Sequence, residues 1–156
     1  SAALVSELSP PVRWEAPARA EVRWLTWVLL GVLAVVLVLG TVVTGSGPHS
    51  GDADEPTRFG LDPRAMSWLH ADAVLVFCGI LAALILVLRL TGAPRGALRR
   101  AWWLVGATLA QGLIGYVQYA TGLPEALVAT HMLGASLLVV AATVLTLSLP
   151  HRRMVS

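Results

Sequence analysis

The chain has 156 residues, 56% of them hydrophobic and 13% charged, and its mean hydropathy of +0.74 places it in lipid and excludes an ordinary soluble domain. Its net charge of +2 rests on eleven arginines and no lysine, scattered along the chain, which excludes a nucleic-acid-binding face. The single cysteine, Cys78, excludes an intrachain disulfide and a cysteine-based zinc site.

Residues 1–23 hold Pro10, Pro11 and Pro17 and lack the charged-then-apolar layout of a signal peptide, so they read as a cytoplasmic linker or a truncation point. A four-transmembrane-helix domain is expected over residues 24–150, with a cytoplasmic tail at 151–156. Four apolar stretches, at about 25–44, 63–90, 101–120 and 124–149, reach the ~20 residues that span a hydrocarbon core. Unpaired backbone groups are costly in lipid and no ten-residue alternating segments occur, so these are helices and not barrel strands. The expected fold is an all-α, integral membrane four-helix bundle.

Arginine placement predicts the orientation. Arg13, Arg19 and Arg23 precede the first stretch, Arg89, Arg95, Arg99 and Arg100 surround the second loop, and Arg152 and Arg153 end the chain. These regions, and with them both termini, face the cytoplasm. The first loop, 45–62, carries Asp52, Asp54, Glu55 and Asp62 and faces outward. Trp24, Trp27, Trp102 and Trp103 at inner ends and Trp68, Tyr116 and Tyr119 at outer ends suit interfacial anchors.

A weak internal repeat relates the first two helices to the last two. Pro63 lies seven residues before His70, and Pro124 lies seven residues before His131, each proline suiting the first turn of a helix. Two helices running from outside to inside thus carry a histidine at one depth, about 10 Å from the helix start. An imidazole in a membrane helix marks a candidate functional site, and two at one level suit the axial ligands of a heme iron held between helices of a bundle. Ala73 and Val74 below His70, and Gly134 and Ala135 below His131, leave slots for a flat macrocycle. Competing readings are a hydrogen bond from each histidine to a neighbouring helix and a zinc site, for which two histidines supply half the ligands and Asp72 points elsewhere.

Thr108, Gln111, Gly115 and Gln118 form a polar stripe on the third helix, directed inward either as interhelical glue or as contacts to a cofactor edge, while Gly106 and Ala110 are a small-residue packing pair. Met132 lies on another face than His131, and His151 is a tail residue. In the first loop, His49 and Arg58, with Arg64 just beyond it, are candidate contacts to heme propionates or simply solvated loop residues.

The run Gly40-Thr-Val-Val-Thr-Gly-Ser-Gly-Pro-His-Ser-Gly-Asp52 resembles the heme A synthase family in its second half. Trp68-Leu-His-Ala-Asp72, Gln111-Gly-Leu-Ile-Gly-Tyr-Val-Gln118 and Ala129-Thr-His-Met-Leu-Gly-Ala135 are similar to the family's histidine-bearing helices and the helix between them. The likeness covers about residues 24 to 150. It implies half of an eight-helix pseudo-symmetric fold in the bacterial plasma membrane. It also implies an oxidoreductase that converts the C8 methyl of heme O to the formyl of heme A for cytochrome oxidase assembly.

By that resemblance His70 and His131 are the axial ligands of a heme b that relays electrons. Gln111, Gln118, Gly134, His49, Arg58 and Arg64 are its candidate contacts. The family's substrate-binding histidine pair, catalytic glutamate and outer-loop cysteines belong to the other half and have no counterparts here, so the catalytic residues are not assigned. Expected partners are membrane lipid, heme O and heme A as substrate and product of a complete enzyme, and a first-half polypeptide, a second copy of the chain or oxidase assembly factors. The alternatives are a stand-alone bis-histidine b-type membrane cytochrome in electron transfer, and a structural partner in oxidase assembly whose histidines are polar glue.

Overall fold

A computed structural model describes residues 13–14, 19–46, 59–149 and 154–155 of the chain. Four helices make up nearly all of it: α1 (Ala20–Ser46), α2 (Pro63–Leu90), α3 (Arg95–Ala120) and α4 (Glu125–Leu147). A two-residue antiparallel pairing joins Arg13–Trp14 to Met154–Val155, ahead of α1 and beyond α4.

The helices start and stop where their sequences dictate. Asp62 caps α2, its carboxylate accepting from the Arg64 backbone N–H at 2.9 Å, with Pro63 in the first turn. At α4 the proline is the cap and the helix begins at Glu125, one residue later than the sequence suggests. α3 begins at Arg95, six residues before the expected 101, because Pro94 ends the preceding turn and nothing between it and Ala101 breaks a helix.

Both α2 and α3 end on the same device, Thr-Gly-x-Pro. The hydroxyls of Thr91 and Thr121 donate to the carbonyls of Val87 and Val117 at 2.8 and 2.7 Å. Gly92 and Gly122 then turn left-handed at φ +64° and +78°. The amides of Ala93 and Leu123 reach back to the carbonyls of Leu88 and Gln118 at 3.0 and 2.7 Å, closing a Schellman turn at each end.

Each helix packs against two others, α1 on α2 and α4, and α3 on α2 and α4, while no Cα of α2 lies within 8 Å of one of α4. The bundle is therefore square in section, with α2 and α4 on one diagonal. Its closest packing is within the hairpins α1–α2 and α3–α4.

The core is one-sided along the bundle axis. Buried hydrophobic residues come from α1 between Val22 and Val36 (with Leu29 and Leu33), the second half of α2 (Phe77 to Leu88), the start of α3 (Ala97, Ala101, Leu104) and the end of α4 (Leu138, Ala142, Leu145). The helices thus alternate in direction, and the core gathers at the end where Arg23, Arg89, Arg95, Arg99 and Arg100 lie. Toward the other end, no hydrophobic side chain among the described residues is fully buried.

Three helices, α1, α2 and α4, are long and apolar enough to cross a membrane. α3 is not among them, since arginines occupy its first two turns and Gln111 and Gln118 dilute its apolar content. Its polarity is nevertheless turned inside out: Ala101, Leu104, Thr108, Gln111, Gly115 and Gln118 face the bundle, whereas Trp103 (74% exposed), Leu109 (67%) and Tyr116 (71%) face outward. Gly106 and Ala110 also point outward, and nothing lies within 4 Å of where a Gly106 side chain would start. They are not a packing pair within this chain, contrary to the sequence reading.

A β-carbon at φ near +60° costs ~1–2 kcal/mol. Gly92→Ala and Gly122→Ala are each expected to lower resistance to unfolding in mixed detergent by about 1 kcal/mol, whereas Gly79→Ala, on an open helical face, does not. A Gly122→Ala chain as stable as the native one contradicts this account of the turn.

Candidate functional site

The two histidines stand on the diagonal helices, each about two turns beyond the helix start. Both lie toward the less packed end of the bundle and both are half-buried.

Each imidazole is seated on a glycine of its own hairpin. A β-carbon on Gly40 of α1 would stand 3.3 Å from His70 Cε1, and one on Gly115 of α3 would stand 3.2 Å from His131 Cε1. The internal repeat therefore has a physical trace: in each hairpin the first helix gives up a side chain so that the second can lay an imidazole against its backbone. Gly115 belongs to the inward stripe read from the sequence, whereas Gly40 was not assigned a contact, because its role depends on the neighbouring helix.

His70 is further fixed by a hydrogen bond at 3.1 Å between its Nδ1 and the carbonyl oxygen of Val36, one turn before Gly40. A carbonyl only accepts, so the proton sits on Nδ1 and the Nε2 lone pair is free to face a ligand. This is the arrangement by which a metal-binding histidine is held in one tautomer and orientation. Sequence alone does not reveal it, because the partner is a backbone atom of a valine thirty-four positions away.

Beside His131, the α3–α4 interface carries polar atoms with no partner among the described residues. His131 Nδ1, Gln111 Oε1 and Gln118 Oε1 are all buried and unbonded. The Gln111 amide rests so closely on Gly134 that a side chain at 134 would overlap it. Orphaned buried polar atoms are uncommon and each calls for an explanation. Three of them lie on α3 and α4 here, one of them on His131 itself.

Among the described residues no three His, Cys, Asp or Glu side chains gather into a metal-binding group, and Asp72 is exposed. A four-ligand zinc shell is therefore not assembled from these residues. A heme needs less from the protein, because its macrocycle occupies four positions on the iron and two axial imidazoles complete the set. Two imidazoles on helices that do not touch, small residues beneath them and orphaned amides at the edge fit a broad flat group with polar substituents.

Of the remaining candidates, Arg64 is exposed in the first turn of α2 on the histidine side. His49 and Arg58 lie outside the described residues. Met132 is 56% exposed on the outer face of α4. Ser46, one of the polar residues that the sequence crowds at the outer end of the first helix, is buried at the end of α1 with an unbonded hydroxyl.

No protein-family model matches the chain, and comparison with curated proteins and with solved structures finds no match. Fold and composition together define an all-helical chain with three helices long and apolar enough to cross a membrane, carrying two half-buried histidines on α2 and α4.

Nitrogen NMR of chain labelled with 15N-histidine, with His49, His131 and His151 replaced, is expected to show His70 protonated at Nδ1 and bare at Nε2. A ring protonated at Nε2 contradicts the Val36 anchor.

Proposed function

We propose that the chain is a heme-b-binding half of a membrane oxidoreductase of the heme A synthase type, with His70 and His131 as axial ligands. The observation that carries the reading is the pair of imidazoles seated on Gly40 and Gly115 of opposite hairpins, toward the end of the bundle where the apolar core thins out. In this reading α3 also crosses the bilayer, its polar stripe turned to the interior and its tryptophans and tyrosines to the interfaces. The arginine-rich end is cytoplasmic, in a bacterial plasma membrane.

The chain's residues have distinct tasks in such a site. Val36 holds His70 in the ligating tautomer, and the glycines let both rings approach a neighbouring backbone. Gln111 and Gln118 present amides to the edge of the bound group, with Arg64 at the mouth suited to a propionate. Leu33, Phe77, Leu104 and Leu138 close the floor against water. An iron porphyrin held between two imidazoles supplies a one-electron redox centre. One histidine pair holds one heme, so oxidation of a heme O methyl needs a second site, on another polypeptide or a second copy of the chain. A stand-alone b-type cytochrome is the second reading, since a bis-histidine heme is all that it requires of the chain.

The purified chain reconstituted with heme b is expected to give a low-spin absorption spectrum with one heme per chain. His70→Ala and His131→Ala should each abolish it, and full retention by both variants rejects the ligand assignment. Supplied with heme O, a reductant and oxygen, the isolated chain is expected to form no heme A by chromatography of extracted hemes. Co-expression with a first-half polypeptide carrying its own histidine pair should restore conversion. Conversion by the chain alone contradicts the division of labour, and no conversion with a functional first half favours the cytochrome reading.

A further inference from the structure

A second feature lies at the opposite end of the bundle from the histidines, on its outer flank. A cleft of about 340 Å³ opens between α2 and α3, floored by Leu81, Ile85 and Thr108 and walled by Leu86 and Leu109. It runs on α2 from Arg89 to Cys78, which at the helical rise is about 16 Å, roughly half of a ~30 Å hydrocarbon core. The cleft therefore spans about one leaflet, from the arginine-bearing interface to mid-membrane.

Its two ends differ in chemistry. The interior is apolar apart from Thr108, whose hydroxyl is already committed to the Leu104 carbonyl at 2.8 Å. At the interfacial end the Arg89 guanidinium lies 5.3 Å from the centroid of the Trp102 ring, which holds the cation across the cleft mouth. Arg95, Arg99 and Arg100 follow at the start of α3, all exposed, and no acidic residue occurs between Arg89 and Trp102. Arg89 thus stands at the mouth of a one-leaflet apolar trench, with three further cations in the first two turns of the adjoining α3 and no acidic residue between Arg89 and Trp102.

We propose that this cleft holds an acyl chain of an anionic phospholipid from the arginine-side leaflet, its phosphate bound by Arg89 and the arginines that open α3. Basic pockets between membrane helices select anionic head groups in this way, and guanidinium suits phosphate through paired N–H donors. The site is independent of the histidine centre.

The test is native mass spectrometry of the full chain released from bilayers that contain equal amounts of phosphatidylglycerol and phosphatidylcholine with the same acyl chains. The native chain is expected to retain phosphatidylglycerol several-fold over phosphatidylcholine. Arg89→Gln should remove the preference while leaving neutral lipid, and Ala82→Phe, which fills the trench without changing charge, should reduce retention of both. Val35→Phe, on the exposed face of α1, controls for general disturbance and should behave as native. Equal retention of both lipids by the native chain overturns the proposal, as does an undiminished preference in Arg89→Gln. An adduct with the mass of an isoprenoid quinone, or a second chain in place of lipid, overturns it too.

Discussion

A helix bundle in lipid gains little from hiding apolar surface, because the surroundings are as apolar as its interior; close packing and satisfied polar groups hold it together. In this chain those two sources of cohesion are separated along the axis. At the arginine end, leucines, alanines and Phe77 from all four helices interlock, and Thr26, Thr108 and Thr146 turn their hydroxyls back onto their own helices. At the histidine end glycines, histidines and glutamines face inward among half-buried apolar residues such as Val74 and Ile114, and several of their polar atoms have no partner among the described residues. The packed end sets where the helices stand, and the other end inherits positions it did not determine.

That separation bears on the binding centre proposed for the two histidines. Each hairpin is a unit with its own tight interface, and each brings one imidazole against one glycine. The hairpins meet mainly through the arginine-end core, so the two imidazoles are poised across a diagonal where backbones do not touch. The halves are alike but not equal. His70 is anchored to Val36, whereas His131 has an orphaned Nδ1 between two orphaned glutamines. A group bound between them would meet one fixed ligand and one that settles on binding, a division that limits the ordering entropy lost in the step.

Much of this was legible in the sequence, for physical reasons. Helices announce themselves in lipid because nothing else satisfies the backbone, and α2 runs from Pro63 to Leu90 as read from its apolar run and proline start. What failed was local: Pro94 starts α3 six residues earlier than its apolar stretch suggests, since charged residues extend a helix beyond the lipid as readily as apolar ones. The Thr-Gly-x-Pro turns, the seat that Gly40 gives His70 and the Val36 carbonyl were passed over because their roles depend on a neighbouring helix or on backbone atoms. The inward aim of Gln111, Gln118 and Thr108 was readable from spacing alone. Gly106 and Ala110 share the same kind of spacing and face the other way, so spacing identifies a face without saying what covers it.

Hydrogen exchange of the full chain in detergent, with and without added hemin, tests most directly whether the histidine end is the binding end. The account predicts that hemin slows exchange in the later turns of α1 and α3 and the earlier turns of α2 and α4, while the arginine end, already packed, changes little. Uniform protection along the helices before hemin is added, or slowing confined to one hairpin, contradicts it.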